Sequence, residues 1–294
     1  MRKFIIILLF VIVSITWGTT WLAMAIVIKT IPPFFATGIR FLSAVPTLIL
    51  IAFLNKTPLL FPPGKRFFQF IISIFYFAVP FSLMLYSGLY VNVYLSSIIF
   101  SSMPSFILIV SYFVLNKKIF FFQKIGLFIT VITFIFILYN SIYVVHDCFL
   151  QGIIALMIAV ISHAIIYVQC KKRHSNISVL TFNTLPSLIA GIILLIGSFI
   201  FEHPIITQFS LQSILAIIYL GNFSGIFGII SYFYLQKQVN SFYASIVFLI
   251  FPFIAISLDY YFFYYTISLY QFMLIILFCL GIVVTLSSNN FKIN

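Results

Sequence analysis

The sequence predicts an all-α integral membrane protein whose ten transmembrane helices form two inverted five-helix repeats, with both termini in the cytoplasm. Three observations lead there. Hydrophobic residues make up 64% of the 294 residues and charged ones 6%, with a mean hydropathy of +1.28. A soluble domain has no way to bury that share of apolar surface, so the solvent is lipid. The apolar residues also come in runs of about 20, the length that crosses ~30 Å of hydrocarbon at ~1.5 Å per residue. Finally, the segment NVYLSSIIFSSMP, beginning at Asn92, returns as NSFYASIVFLIFP, beginning at Asn240. At this one offset of 148 residues, Asn92 falls on Asn240, Ser97 on Ser245, Ile98 on Ile246, Phe100 on Phe248, Pro104 on Pro252, Tyr112 on Tyr260 and Gln123 on Gln271. So many identities at an offset near half the chain length indicate an internal repeat.

Taken in order, Arg2 and Lys3 precede the first run, 4–28. Ala23-Met24-Ala25 resembles a signal-peptidase site, but the run is longer than a signal h-region and holds Trp17-Gly18 in its middle, so it is read as helix 1. A turn over 29–33 leads to helix 2 (34–54), which carries Arg40, and a Pro- and Lys-rich loop (55–66) follows. Helices 3 and 4 are expected at about 67–90 and 93–114, the latter closed by Asn116-Lys117-Lys118. Helix 5 covers about 122–139. The polar stretch 140–151 divides the halves, giving a first repeat over 1–140, an external linker over 141–150 and a second repeat over 151–294. Helix 6 (151–169) ends before Lys171-Lys172-Arg173-His174, and helix 7 (178–200) before Glu202-His203-Pro204. Helices 8, 9 and 10 are expected at about 211–235, 240–262 and 267–287. All are helices because lipid offers the backbone no hydrogen-bond partner, and a helix satisfies its own.

Charge tests this count. With the N-terminus inside, Arg2, Lys3, Lys56, Lys65, Arg66, Lys117, Lys118, Lys124, Lys171, Lys172, Arg173, Lys237 and Lys292 are all cytoplasmic, against Lys29 outside. Asp147 and Glu202 are outside and Asp259 is near the outer end of helix 9. The bias has the sign and consistency of the positive-inside rule. Five spans per half is an odd number, so the second half enters the membrane inverted, an arrangement in which two halves rock about a midplane site.

The same pattern excludes other classes. A net charge of +12 suggests nucleic acid, but the cations sit in short clusters between apolar runs, so they orient the chain instead of forming a phosphate-binding face. Cys148, Cys170 and Cys279 are isolated and form neither a disulfide framework nor a zinc motif. There is no Walker A sequence, no H-E-x-x-H, no G-x-S and no carboxylate pair. Ser162 and His163 are adjacent, hence about 100° apart on a helix, and make no dyad. No enzyme and no cofactor are expected. The abundance of Phe, Ile, Tyr, Lys and Asn is that of A/T-rich codons and, with α-helical spans, points to a bacterial inner membrane.

Trp17-Gly18 in helix 1, Arg40-Phe41 in helix 2, the Ser/Ala-rich entries to helices 4 and 9 with Pro104 and Pro252, and the paired halves together resemble the ten-helix EamA-type carriers of the drug/metabolite transporter superfamily. The resemblance covers essentially the whole chain. It departs where that family often has Leu-Gly-Glu after helices 4 and 9, for this chain has Leu115-Asn116-Lys117 and Phe263-Tyr264-Tyr265. It implies a secondary-active, alternating-access transporter of small metabolites, with efflux of amino acids or related neutral or zwitterionic compounds as first expectation. Drugs, nucleosides and nucleotide sugars are alternatives, as is a passive channel or a structural membrane protein. With no nucleotide motif, such a carrier runs on a gradient of protons, ions or substrate.

The candidate site residues follow from their place in the spans. His163, midway along helix 6, is an ionisable group where one is costly, and is expected either to bind substrate or a proton or to be hydrogen-bonded in the packing. Arg40 either snorkels to the headgroups or pairs with Asp259 in the same outer leaflet, and both are candidates for coupling or gating. Trp17, Trp21, Tyr86, Tyr167 and Tyr232 supply apolar walls with polar tips, the make-up of a small-molecule site, with packing or an interfacial belt as the plainer reading. Ser101 joins them, although Ser96, Ser97, Ser101, Ser102 and Ser105 also suit close helix packing. Pro104 and Pro252 are candidate hinges. No carboxylate lies near any midplane, which disfavours polycationic substrates.

Overall fold

The computed structural model describes residues 2–142, 148–173, 177–239 and 241–287. Ten helices long and apolar enough to span a membrane are found among them: α1 (Lys3–Val27), α2 (Pro33–Leu54), α3 (Arg66–Ser87), α4 (Val93–Leu115), α5 (Phe121–Ser141), α6 (Phe149–Lys172), α7 (Val179–Phe201), α8 (Leu211–Gln238), α9 (Tyr243–Phe263) and α10 (Leu269–Ser287). Each expected span is present, with ends shifted by a few residues. The largest extension is at α6, which puts Lys171 and Lys172 in its last turn, where cations meet the helix's unpaired carbonyls favourably. Asp147, His174, Asn240 and Lys292 lie outside the described residues.

Lipid gives no hydrophobic drive for one helix to leave it for another, so the helices associate through small residues and hydroxyls. A Cβ on Gly126 would lie 2.5 Å from the Thr285 nitrogen, and one on Gly281 would lie 2.6 Å from Thr130 Oγ1, so α5 and α10 meet through two matching Gly-x-x-x-Thr faces. In the same way α2 and α7 meet at Gly38 and Gly191. Between α1 and α8 the contact is polar: Thr19 and Tyr219 hydroxyls are 2.5 Å apart, Thr20 bonds Ser224, and Thr30 donates to Ser213 at 2.9 Å.

The packing partners come in matching sets. α1 lies on α9 and α8, while α6 lies on α4 and α3; α2 pairs with α7, α5 with α10, and α4 with α9. Local geometry also returns at the 148-residue offset. Asn116 and Tyr264 close α4 and α9 in the left-handed conformation (φ 51° and 54°), each with its N–H on the carbonyl five residues back, Ser111 and Asp259. Gln123 Oε1 accepts the Phe120 N–H at 3.0 Å, and Gln271 Oε1 the Ser268 N–H at 3.0 Å. Wide π-helical turns interrupt α3 at Ser73–Ala78 and α8 at Tyr219–Phe227.

The two candidate proline hinges differ in their local helix geometry. α4 is interrupted at Ser102, two residues before Pro104, where the missing proline N–H ends the ladder. α9 is interrupted at Ile246 and continues as helix through Pro252.

Candidate functional site

His163 sits on the inward face of α6, 3% exposed, in a cage of three rings. Tyr76 and Phe81 from α3 and Phe100 from α4 stand 4.7, 5.2 and 5.8 Å from the imidazole, each nearly perpendicular to it. Tyr76 and Phe81 are five residues apart, about 140° on an α-helix. The wide turn at Ser73–Ala78 brings both onto one face, and such turns often mark functional positions. Ser162, beside the histidine, donates to the Phe75 carbonyl of that turn. The cage continues outward, for Phe100 packs edge-on to Trp21 at 5.6 Å. Among the described residues, Nε2 of His163 has no hydrogen-bond partner.

Phe81 also faces Arg40. The guanidinium carbon lies 4.7 Å from the ring centroid, and the side chain is 5% exposed, with Nη1 unpartnered among the described residues. Arg40 therefore does not snorkel to the headgroups. It lines a cavity of about 40 Å³ together with Phe77, Asn183, Ser187, Leu220 and Gly221, drawn from α2, α3, α7 and α8.

On the side of the basic loops, Trp17, Tyr232 and Phe248 form a second aromatic group, with Trp17 4.8 Å from Tyr232 and 5.5 Å from Phe248. Tyr167 opens this end. It lies one turn beyond His163 and about 40° from it, on the face opposite lipid-exposed Ile154, Ile158 and Ile165. Even so it is 42% exposed, and it is within electrostatic reach of Tyr76 and Tyr232. Tyr167 is thus accessible on the side of α6 that carries His163, at the end of the bundle near the basic loops.

The opposite end is shut. Tyr94 stacks on Tyr265 at 4.8 Å, their hydroxyls 3.4 Å apart, and Tyr94 also bonds Ser141 at 3.1 Å. Asp259 of α9 accepts the Tyr94 backbone N–H at 3.0 Å, and Glu202 beyond α7 accepts those of Phe34 and Phe35 at 2.8 and 3.0 Å. Two carboxylates thus cap the N-termini of α4 and α2, where amides lack partners within their own helix.

A profile of the EamA-like transporter family matches residues 4–139 and again 150–287. The chain belongs to the EamA-like transporter family. It is 60% identical over 293 residues to a protein of Buchnera aphidicola subsp. Schizaphis graminum named "Uncharacterized transporter", spanning 99% of this chain and 97% of that one. It is 53% identical over 293 residues to Protein PagO of Salmonella typhimurium, spanning 100% and 96%. A crystal structure with 14% sequence identity covers 97% of this chain and 98% of its own at a TM-score of 0.70, which shows a shared fold. This EamA-like chain is a multi-pass membrane transporter of the bacterial inner membrane.

Within the EamA frame, the expected site residues separate. Phe100 links His163 to Trp21, Trp17 packs on Tyr232, and Tyr167 stands one turn from His163 on α6. Tyr86 is elsewhere, at the outer rim of α3, with its hydroxyl 3.4 Å from Gln151 and its ring against Tyr90. Ser101 is fully buried and donates to its own helix at the Ile98 carbonyl, 2.7 Å away, so its hydroxyl is used locally. The expected Arg40–Asp259 pair does not form, because the carboxylate is committed to α4 while the guanidinium lies against α3. Sequence reasoning missed Tyr76, Phe81 and Phe100, since their convergence depends on a π turn that no local residue pattern announces.

Proposed function

We propose that this EamA-like transporter is a secondary carrier that works by alternating access, two inverted five-helix repeats (1–140 and 151–294) rocking about a midplane site, with both termini in the cytoplasm. The substrate is a small neutral or zwitterionic metabolite, amino acids first among them, and the net direction is efflux. The matching packing sets and the recurring caps and π turns support two related halves, and the charge of the loops supports the orientation. In this reading Tyr94, Tyr265 and Asp259 close the outside, and a vestibule at Tyr167 faces the cytoplasm. His163 and Trp21 stand at its inner end, where substrate waits for the outer gate. No chemical transformation is part of the mechanism; the residues bind, release and exclude.

The observation that carries the proposal is that Tyr167 stays accessible on the His163 side of α6 while Tyr94, Tyr265 and Asp259 pack together at the opposite end, and we read this as one state of a two-state pore. Counterflow in proteoliposomes tests it. Vesicles preloaded with unlabelled amino acids and nucleosides should take up one labelled class saturably, in competition with its unlabelled form. Flux that neither saturates nor shows counterflow would replace the carrier by a channel.

A further inference from the structure

We propose that Arg40 is the docking point for a carboxylate on the transported molecule, held in the cavity between α2, α3, α7 and α8. The proposal rests on the carrier reading for its role, but the site stands on separate observations. The Arg40 side chain is 5% exposed and its Nη1 has no hydrogen-bond partner among the described residues. A guanidinium stays charged at any physiological pH, and burying that charge inside a membrane protein without an anion is costly. Among the described residues, the ring of Phe81, the polar side chains of Asn183 and Ser187 and the imidazole of His163 are near it, and none of them neutralises a cation.

The chain's own anions are used elsewhere. Glu202 holds the Phe34 and Phe35 amides and the Ser198 hydroxyl, and Asp259 holds the Tyr94 amide, so both are fixed at helix ends on the outer side. The remaining acid, Asp147, belongs to the linker between the repeats, outside the described residues. The counter-charge for Arg40 is therefore sought in the ligand.

The cavity suits a carboxylate. Its volume of about 40 Å³ takes one small polar group, not a whole metabolite, and the polar side chains of Asn183 and Ser187 share its lining with Arg40. A guanidinium offers paired N–H donors in the plane that a carboxylate accepts. Phe81 carries the second clue, because the neighbour it shares with Arg40 is His163, whose Nε2 is also buried and unpartnered. A molecule with its carboxylate on Arg40 and a second polar group within reach of His163 uses both orphaned atoms. A small α-amino acid has that form.

The test uses the full-length protein, with Arg40→Met and Arg40→Lys beside it. Proteoliposomes are assayed by counterflow with labelled neutral L-amino acids, the corresponding amino-acid amides and the corresponding 2-oxo acids. In parallel, the melting temperature of the detergent-solubilised protein is followed with the same compounds. The expected result is exchange of amino acids but not of their amides, a rise in KM of at least tenfold in Arg40→Met, and a smaller rise in Arg40→Lys. Exchange of 2-oxo acids as well would uphold the carboxylate and remove the requirement for an amine. Equal KM values in wild type and Arg40→Met, or exchange restricted to compounds without a carboxylate, would overturn the docking site and leave the carrier standing. No exchange of any of these compounds would remove the amino-acid reading of the carrier. The melting data then decide the site: stabilisation of wild type by carboxylates, absent in Arg40→Met, upholds it, and no stabilisation overturns it. Should Arg40→Met fail to fold, Arg40→Lys decides alone.

Discussion

Replacing Glu202 by glutamine tests how the outer end of α2 is held. The first amide of α2 bonded within its own helix is that of Ala36, to the Pro32 carbonyl. Pro33 has no N–H, so Phe34 and Phe35 carry the unpaired donors of the first turn, and the Glu202 carboxylate takes both, at 2.8 and 3.0 Å. Glutamine keeps the length but has one acceptor oxygen, so one amide is left facing an NH2 group. A hydrogen bond to a charged group contributes about 1.5–3 kcal/mol, and the favourable field of an anion at a helix N-terminus about 0.3–1 kcal/mol. Partial rescue by the amide oxygen and solvent access at this rim reduce the sum to roughly 2 kcal/mol, equivalent to about 30-fold in a local opening equilibrium. Hydrogen–deuterium exchange with mass spectrometry, on a peptide covering the start of α2, reads this directly. Exchange should accelerate about 10- to 30-fold at Phe34 and Phe35 and stay unchanged in the middle of α7. Unchanged exchange at the start of α2 would refute the cap.

Three further outcomes follow from the packing. Gly281→Val places side-chain atoms where Thr130 already stands, 2.6 Å from a new Cβ, and should cost about 1–3 kcal/mol, read as a lower melting temperature in detergent; an unchanged value would contradict the tight α5–α10 contact. Tyr264 is 85% exposed and sits at φ 54°, so Tyr264→Gly should relieve left-handed strain and stabilise by about 0.5–1 kcal/mol after the entropy cost of glycine. A destabilised variant would show that the tyrosine's contacts matter more. Asp259→Asn, which keeps a hydrogen-bond acceptor but removes the anion at the start of α4, should raise outer-side labelling of a cysteine placed at Met24; no change would separate Asp259 from the gate.

The spans were legible because they depend on additive, local quantities: run length and hydropathy. The repeat was legible too, and its offset predicts the cap geometry at Asn116 and Tyr264, where the related family often has glycine. That substitution explains itself in the structure, since both positions need a positive φ that glycine adopts freely. Lateral position was not legible. Arg40 and Asp259 share a depth, but α2 packs on α7 and α9 on α4, so equal depth does not bring them together. Tyr86 failed for the same reason, being an aromatic of the right kind on the wrong rim. The ring cage of His163 depends on a π turn that rotates Tyr76 and Phe81 onto one face, and helical periodicity assigns them to different faces.

The most direct measurement is paired cysteine accessibility in oriented membrane vesicles, with Cys148, Cys170 and Cys279 replaced by serine. One reporter is Tyr167→Cys in the vestibule and the other is Met24→Cys, 3% exposed beneath the outer layer. The account predicts that a membrane-impermeant maleimide reaches position 167 only from the cytoplasmic side and position 24 only from outside. A transported substrate should shift the two rates in opposite directions. Rates that rise together, or labelling of either position from both sides at once, would contradict alternating access.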